Sequence, residues 1–429
     1  MSLRQKIGLD FLKSEWRFML FGAMMAGWSS LGQTFFISLF SSDIRQALSL
    51  SHGDFGSYYA LATAASAFTL LWLGKLADTM ALKKLAFITL TAICLAALYF
   101  STIQSVIGLI IGIYFLRLWG QGMMSHVWST AMARRYIKVR GRTLAFASFG
   151  MTFAESFGPS LIVAMFAMMH WRMIWVILPV IAWLSLVPFL GKLTARTPLQ
   201  DGAGQDGAGK GDAGKNDAVQ KTCHNNDLRR ADMLRDPAFW LAIIWLVFVP
   251  SFTVTGLLFH QIYLSEIKGI SLSLWAANYG FYAIAAICGT MLSGYLVDRF
   301  TAHRIVAVTQ LPVILFSILL YISHGPVTLA LFFMVFGLCS AMPSTALAAL
   351  LAERYGTTHL GELRATALPI NVMASAGAPI VMGVMIDQGA SLGMLMGLLG
   401  LCGVISSTGA FLAFNLGLVG VPRCGVHAS

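Results

Sequence analysis

Charged residues are scarce in this chain. Asp, Glu, Lys and Arg make up only 11% of its 429 residues, whereas 57% are hydrophobic and the mean hydropathy is +0.75. A soluble core of this size could not bury so much apolar surface. The scarcity of charge therefore excludes an ordinary soluble protein and indicates that lipid covers much of the chain.

Three kinds of functional signal are also missing. The six cysteines are scattered without the paired spacing of a zinc or redox site, and no Walker-type glycine loop points to ATP. The first apolar run has no small-residue cleavage site, so we expect it to be retained as a helix and not removed as a signal peptide. We therefore expect no metal, no cofactor and no enzymatic activity.

Long apolar runs are what the sequence does contain. Twelve of them are long enough, at roughly 20 residues, to cross the hydrocarbon layer as helices. The predicted spans 1 to 12 lie at about 17–40, 55–74, 85–102, 106–130, 143–169, 173–190, 239–264, 272–295, 304–323, 327–350, 365–386 and 391–415. The predicted fold class is an all-α membrane protein with twelve transmembrane helices.

A polar stretch separates the first six spans from the last six. Residues from about 192 to 236 are rich in Gly, Asp, Lys and Ala, a composition that cannot order itself by burial. The predicted domains are a six-helix bundle at 1–191, a flexible cytoplasmic linker at 192–236 and a second six-helix bundle at 237–429. The end of the linker, from about Asp227 to Asp236, is predicted to form a short amphipathic surface helix.

The positive charges predict the orientation. If the N-terminus is cytoplasmic, all but four of the 29 lysines and arginines fall on the cytoplasmic side; Arg45, Arg172 and Lys268 lie outside and Arg117 lies within span 4. We therefore expect both termini in the cytoplasm and the protein in the inner membrane. The net charge of +11 then reflects topology and attraction to anionic lipid headgroups, not a nucleic-acid partner.

An offset of 220 residues relates the two halves of the chain. It recurs at loops and helix ends, which indicates an internal duplication. The matching pairs are Gly74 with Gly294, Asp78 with Asp298, Arg134 with Arg354, Gly141 with Gly361, and Pro159 with Pro379.

The repeated loop carries a resemblance to a known family. Gly74-Lys-Leu-Ala-Asp78 between spans 2 and 3, and Gly294-Tyr-Leu-Val-Asp298-Arg299 between spans 8 and 9, look like the loop motif of the major facilitator superfamily. The chain resembles this superfamily over essentially its whole length. The resemblance implies two bundles related by a pseudo-two-fold axis, transport by alternating access, and a gating role for Gly74, Asp78, Gly294, Asp298 and Arg299. The alternative is that both loops only set the topology.

Two further segments resemble the branch that contains monocarboxylate and oxalate carriers. They are Gly32-Gln-Thr-Phe-Phe-Ile-Ser38 in span 1 and Glu353-Arg-Tyr-Gly356 before span 11. Many eukaryotic monocarboxylate carriers place an aspartate and an arginine in span 8, and this chain does not. The resemblance therefore does not carry over monocarboxylate as the substrate, and an anionic or zwitterionic substrate is favoured instead by Arg117, the single cation within a predicted span.

Two charges lie inside predicted spans. Arg117 in span 4 and Glu155 in span 5 are expected roughly 20 Å and 18 Å from the cytoplasmic face, at 1.5 Å per residue. Each costs about 2.5–3.5 kcal/mol at the centre of a spanning helix, so each needs a reason to be there. Either the two form a permanent ion pair between helices, or Glu155 exchanges a proton while Arg117 binds the substrate anion.

Polar residues at helical spacing complete the predicted cavity. The candidate substrate-binding residues are Arg117, Ser29, Gln33, Gln121, Asn278, Tyr282, Asn371 and Ser375. Helical spacing puts Phe36 on the face of Ser29 and Gln33, and Met124 on the face of Arg117 and Gln121. The alternative for each polar residue is a hydrogen bond between helices.

The sequence thus predicts a monomeric secondary transporter, a proton-coupled symporter of a small organic anion or similar small metabolite. Its partners would be that substrate, protons and membrane lipids. One rival is a proton-driven exporter of drugs or natural products, for which a lone acidic residue in an aromatic cavity suffices. Gly158 and Pro159 in span 5 form only a fragment of the drug-antiporter pattern, which weakens this alternative. A second rival is a receptor with the carrier fold, whose mark would be a large extra sensory domain.

Overall fold

The computed structural model describes residues 9–136, 140–195, 228–356 and 359–417. Within these ranges the regular structure is helical, and nine helices are long and apolar enough to cross a membrane. A shorter apolar helix covers Val308–Ile322. The predicted fold class, an all-α membrane protein with twelve helices in two bundles, is confirmed.

The described residues form two compact units. The first unit contains 9–50 and 61–195, and the second contains 51–60, 228–356 and 359–417. In the second unit, the carboxylate of Asp387 accepts hydrogen bonds from the backbone amides of His52 (2.9 Å) and Gly53 (2.7 Å). The predicted bounds of the two bundles and the linker stay a prediction, since residues 196–227 lie outside the described ranges.

The helices of the first unit, including the shared helix that begins at His52, are Leu9–Trp28, Thr34–Ile37, Ser41–Leu48, His52–Leu73, Leu76–Thr79, Leu82–Phe100, Val106–Leu116, Ser125–Arg135, Arg140–Phe166, Trp171–Leu186 and Leu190–Leu193, with a π-helix at Arg117–Met124. Those of the second unit are Arg230–Arg235, Ile244–Phe259, Gln261–Ile267, Leu272–Ala277, Tyr279–Phe300, Ala302–Ile305, Leu311–Ile322, Pro326–Tyr355, Leu360–Asp387 and Leu392–Ala410, with π-helices at Phe239–Ile243 and Phe411–Asn415. The helix Arg230–Arg235 confirms the short helix predicted at the end of the linker.

A serine side chain caps the N-terminus of three of the spanning helices. Ser105, Ser271 and Ser391 each precede a spanning helix, and each hydroxyl accepts a hydrogen bond from the backbone amide three residues on. A serine at this position satisfies one of the amides that a helix start leaves unpaired. The beginnings of spans 4, 8 and 12 are therefore fixed by local sequence.

Two cations on the predicted outer side cap the ends of helices. Arg172 Nη1 donates to the carbonyl oxygens of Ser101 (2.9 Å) and Ile103 (2.8 Å) at the end of span 3. Lys268 Nζ donates to the carbonyl oxygen of Tyr321 (3.0 Å) at the end of span 9. A cation at a helix C-terminus is favourable because unpaired carbonyls give that end partial negative charge. These contacts give a local reason for two of the three cations that the topology prediction leaves outside.

A buried acid, arginine and tyrosine join the start of span 1 to the end of span 4. Arg135 Nη2 donates to Glu15 Oε2 at 3.1 Å, and the Tyr136 hydroxyl donates to the same oxygen at 2.6 Å. Glu15 is 5% exposed. A carboxylate bonded to two donors in this way holds two helix ends of the first unit together.

The second unit contains the same arrangement. The carboxylate of Asp236 accepts hydrogen bonds from Arg354 Nε (2.7 Å) and the Tyr355 hydroxyl (2.8 Å), which joins the start of span 7 to the end of span 10. The offset of 220 pairs Arg354 with Arg134, but Arg134 donates instead to a loop carbonyl. Arg135 bonds to a buried carboxylate as Arg354 does, so Arg135 is the structural counterpart of Arg354, at an offset of 219.

Spans 1 and 5 pack backbone against backbone. A Cβ at Gly150 would overlap the carbonyl oxygen of Ala23, and a Cβ at Gly27 would lie 3.2 Å from the carbonyl oxygen of Gly150. Only glycine allows so close an approach, as in other helix pairs packed through small residues.

We expect Gly150→Ala to destabilise the protein by about 1–3 kcal/mol, because the added methyl group meets backbone that cannot rotate away. The measurement is the thermal unfolding midpoint of the purified protein. Gly397→Ala is the matched control, since a Cβ at Gly397 meets nothing within 4 Å. An alanine in a helix should leave the midpoint of this control unchanged or raise it. Equal midpoints for the two variants would contradict the close packing of spans 1 and 5.

Candidate functional site

Span 1 is interrupted near its middle. The helix Leu9–Trp28 passes into a 3-10 turn at Ser29–Gly32, and Gln33 is extended (φ −89°, ψ 152°) before the short helix Thr34–Ile37. A Cβ at Gly32 would overlap the backbone of span 4. Glycine disfavours helix and permits this approach. Interrupted helices in membranes are tolerated where protein or a cavity satisfies the backbone.

Span 4 has an irregular segment of its own. Residues Arg117–Met124 form a π-helix between the α-helices Val106–Leu116 and Ser125–Arg135. Segments of this kind occur frequently at functional sites. A Cβ at Gly120 would lie 2.7 Å from the Cα atom of Gly32. The irregular segments of spans 1 and 4 are therefore in direct contact.

The π-helix changes the predicted face of span 4. Arg117 is 2% exposed and Met124 is 0% exposed, whereas Gln121 is exposed. A π-turn bonds residues five apart, so residues three and four apart no longer align as they do on an α-helix. The three residues therefore do not share one environment, contrary to the α-helical spacing used in the prediction.

Arg117 binds the interrupted part of span 1. Its Nη1 donates to the carbonyl oxygen of Gly32 at 3.1 Å and to Oγ1 of Thr34 at 3.3 Å. The guanidinium therefore bonds to backbone at the point where the regular hydrogen bonds of the helix stop. This contact gives a structural reason for a cation that would otherwise be costly within a span.

Glu155 lies on the packed side of span 5. The helix Arg140–Phe166 has a stripe of exposed phenylalanines at positions 146, 149, 153 and 157. Glu155 is half-buried and lies on the other side, in register with Ile162, which is 1% exposed. The carboxyl group is thus carried towards the interior of the first unit.

Span 1 is the common neighbour of the two charges. Gly150 and Gly158 of span 5 both lie against span 1, the second of them near the ring of Phe35. Glu155 falls between these glycines, and Arg117 binds the same part of span 1. The structure therefore places Arg117 at the interrupted region and Glu155 on a helix that packs against span 1, while an ion pair between them stays a prediction.

The other candidates on span 1 are placed differently from one another. Ser29 is fully buried, and its hydroxyl donates to the carbonyl oxygen of Ala26 at 2.6 Å. Phe36 is 4% exposed and packs edge to face on Trp175, with ring centroids 5.3 Å apart. Gln33 is only half-buried. Of the three, Gln33 is best placed to reach a ligand.

The second unit has a ladder of polar contacts between spans 7 and 11. The Ser251 hydroxyl donates to Asn371 Oδ1, and the Thr255 hydroxyl donates to the Ser375 hydroxyl at 3.1 Å. Asn371 is exposed although it lies within span 11. Sequence reasoning found Asn371 and Ser375 but missed Ser251 and Thr255. Their spacing of four residues, repeated on both spans, was the available signal.

The two candidates on span 8 are both largely buried. Asn278 separates the helices Leu272–Ala277 and Tyr279–Phe300, and its Nδ2 donates to the carbonyl oxygen of Leu274 at 2.7 Å. Tyr282 is 4% exposed. Its ring packs against Phe336, with centroids 5.1 Å apart. The ring contact of Tyr282 joins spans 8 and 10, whereas the hydrogen bond of Asn278 lies within span 8.

The predicted gating loops are held by the ends of spans 4 and 10. In the first copy, His126 Nε2 lies 3.1 Å from the Gly74 carbonyl oxygen, and Arg134 Nη1 donates to the Ala77 carbonyl oxygen at 2.6 Å. The side chain of Asp78 lies outside the described part of the structure. The first loop is therefore held through its carbonyl oxygens.

The second loop is held through an amide. The single backbone N–H of Ala302 is shared between the two carboxylate oxygens of Glu353, each 3.0 Å from the nitrogen. In the same copy Asp298 is exposed, and Arg299 Nη1 donates to the Tyr295 hydroxyl at 3.0 Å. The two copies thus use opposite charges, a cation on carbonyls in the first and an anion on an amide in the second. Gly294 has open space where a Cβ would be.

Comparisons with known proteins agree with this architecture. A sequence model of the Major Facilitator Superfamily matches residues 19–381. No curated protein sequence matches the chain. A solved bacterial homolog of the human lysosomal transporter Spinster, inward-facing and unoccupied, has a TM-score of 0.64 and 18% identity, covering 93% of this chain and 94% of that one. The nucleoside transporter NupG has a TM-score of 0.65 and 14% identity, covering 94% and 98%.

At these identities the two solved structures show the fold alone, whereas the sequence model covers most of the chain. The chain belongs to the Major Facilitator Superfamily, and it is a multi-pass membrane transporter and not an enzyme.

Proposed function

We propose that this protein is a proton-coupled symporter of a small organic anion or similar small metabolite. It would act as a monomer in the cytoplasmic membrane, with both termini inside and alternating access as its mechanism. The observation that carries the proposal is the hydrogen bonding of Arg117 to the interrupted middle of span 1, with Glu155 on the packed side of span 5, the helix that lies against span 1. A discontinuous helix near the midplane is where carriers of this kind bind substrates and coupling ions.

Arg117 is the proposed anion-binding group. Its guanidinium is a planar fork that matches a carboxylate, and it donates to the Gly32 carbonyl and the Thr34 hydroxyl. A carboxylate of the substrate would accept a hydrogen bond in which both partners are charged, and such a bond is stronger than one to either of these two oxygens. Binding would then free the broken backbone of span 1 to rearrange.

Glu155 is the proposed proton carrier. A carboxyl group on the packed face of a span can cross the low-dielectric region at lower cost when it is protonated. With a proton on Glu155 and a monovalent anion on Arg117, the charges within the site would cancel. The proton and the anion would then cross the membrane in the same transport step.

We expect Glu155→Gln to cut proton-coupled uptake at least about tenfold, because glutamine cannot take up a proton at neutral pH. The measurement is acidification of pyranine-loaded liposomes after addition of oxalate, lactate or succinate, with empty liposomes correcting for passive entry of the acid. Exchange of labelled anion across the membrane should survive, since the amide resembles the protonated carboxyl group. Glu266→Gln, at an exposed acid, is the matched control.

Full acidification by the Glu155→Gln protein would refute the role of Glu155. The substrate itself is identified by thermal stabilisation with carboxylates, amino acids, sugars, nucleosides and cationic drugs. Stabilisation by cationic drugs alone would favour the proton-driven exporter. Stabilisation by nucleosides alone would favour a substrate like that of NupG. Either result would replace the organic-anion proposal.

A further inference from the structure

The helix Arg230–Arg235, called here the interfacial helix, is fixed to the second unit. Met233 is 1% exposed and joins a buried apolar cluster that includes Phe239 and Leu363. Just before the helix, the backbone amide of Leu228 donates to the carbonyl oxygen at the end of span 10, at 3.1 Å. The interfacial helix therefore has a defined position against spans 7, 10 and 11.

A tryptophan places this helix at the level of the lipid headgroups. Trp240 is 57% exposed and lies at the start of the span Phe239–Phe259. Its indole Nε1 donates to the carbonyl oxygen of Leu234, in the last turn of the interfacial helix, at 2.9 Å. Exposed tryptophan at the end of a spanning helix belongs to the membrane–water interface. The helix hydrogen-bonded to it lies beside the same layer.

The exposed side of this region is basic. Its exposed arginines, called here the basic face, are Arg229, Arg230, Arg235 and Arg364. Arg364 belongs to span 11, and it is included in the basic face because its neighbour Leu363 packs in the same apolar cluster as Met233 of the interfacial helix. The exposed carboxylates of the same segments are Asp232 and Glu362, and Asp232 also accepts a hydrogen bond from the backbone amide of Arg229 at 2.9 Å. Asp236 is bonded to buried Arg354 and does not offset the basic face.

We propose that the basic face binds anionic phospholipid headgroups of the adjacent leaflet. Guanidinium groups form bidentate, charge-assisted hydrogen bonds with phosphate oxygens, and arginine serves this purpose better than lysine. Basic residues beside a membrane attract anionic lipid, and the attraction adds over the cluster. Bound lipid would fix the end of the linker and the entry to span 7 at the membrane surface. This inference does not depend on the substrate or on proton coupling.

The test compares two variants that each lose four positive charges. One is Arg229→Gln, Arg230→Gln, Arg235→Gln and Arg364→Gln on the basic face. The control removes four exposed cations of the first unit by Arg17→Gln, Lys83→Gln, Lys84→Gln and Lys192→Gln. Each full-length protein is reconstituted in nanodiscs with equal phosphatidylglycerol and phosphatidylcholine, and the lipids that stay bound are identified by native mass spectrometry.

The wild-type protein and the control are expected to retain phosphatidylglycerol in preference to phosphatidylcholine. The basic-face variant should retain at least about fivefold less phosphatidylglycerol, the loss expected for even one basic contact. Equal loss in both variants would reduce the effect to net charge and overturn the proposal, as would full retention in the basic-face variant. Release of phosphatidylglycerol by millimolar inorganic phosphate would also overturn it, because the site would then bind free phosphate. Thermal unfolding of each variant confirms that the compared proteins are folded.

Discussion

Arg117→Gln is expected to weaken anion binding by about 10- to 150-fold, the range that corresponds to one hydrogen bond with a charged group. Arg117 is 2% exposed and lies against the broken backbone of span 1, so a bound anion there would have little water to compete with. Glutamine can still donate to the Gly32 carbonyl oxygen, and the local fold should survive. The measurement is thermal stabilisation of the purified protein by the best carboxylate of the panel.

Two further variants sharpen this test. Arg117→Lys keeps the charge and loses the planar fork, so we expect an intermediate affinity. Arg17→Gln removes an arginine from the exposed surface and should bind the anion as the wild type does. Unchanged stabilisation of the Arg117→Gln protein would show that the anion binds elsewhere and that Arg117 only holds span 1 to span 4.

Asp236→Ala is expected to destabilise the protein by about 3–5 kcal/mol, because it leaves a buried guanidinium without its partner. Arg354 is 2% exposed and donates to Asp236 from Nε at 2.7 Å and from Nη2 at 3.1 Å. The Tyr355 hydroxyl loses an acceptor in the same variant. The measurement is the thermal unfolding midpoint, with Asp232→Ala at an exposed carboxylate of the neighbouring helix as the control.

A double variant separates the cost of an unpaired charge from the cost of a lost contact. Adding Arg354→Met to Asp236→Ala removes the buried charge, so the double variant should be more stable than Asp236→Ala alone. If the double variant is less stable than the single one, Arg354 stabilises the fold through packing and not through its bond to Asp236.

The ion pair of Asp236 and Arg354 is also expected to make the stability of the protein depend on pH. Burial works to raise the pKa of Asp236, but hydrogen bonds from Arg354, the Ala238 amide and Tyr355, with the charge of Arg354, outweigh it and hold the pKa below 3.8. A carboxyl group whose pKa is lowered on folding stabilises the protein above its unfolded pKa, and this contribution is lost as the pH falls through the lowered value. The gap in stability between wild type and Asp236→Ala should therefore be full at neutral pH and shrink below about pH 4.

The sequence was sufficient for the parts of the fold that depend on composition. Lengths of apolar runs gave the spans, and Arg117 and Glu155 stood out because charge is costly in lipid. The interruption of span 1 at Gln33 could not be predicted in this way. Apart from Arg17 at its start and Gln33, the run consists of apolar or small residues, so hydropathy measures its length and not its continuity.

The remaining differences come from contacts between distant residues. In the π-helix of span 4, Gln121 is exposed whereas Arg117 and Met124 are buried, a difference that the predicted α-helical spacing does not include. Ser251 and Thr255 gained a role only through partners on span 11. Arg135 replaced its neighbour as the counterpart of Arg354 for the same reason, since a fixed offset does not record which side chain turns inward.

Two helix contacts should differ in how readily they accept new side chains during evolution: that of spans 1 and 5 and that of spans 7 and 11. Spans 1 and 5 meet through glycines such as Gly150, so nearly every substitution there moves a helix axis. Spans 7 and 11 meet through small hydroxyls such as Thr255 and Ser375, which can be exchanged for one another or for alanine while the helices stay in place. Substitutions that preserve the fold should therefore arise more often where spans 7 and 11 meet than where spans 1 and 5 meet.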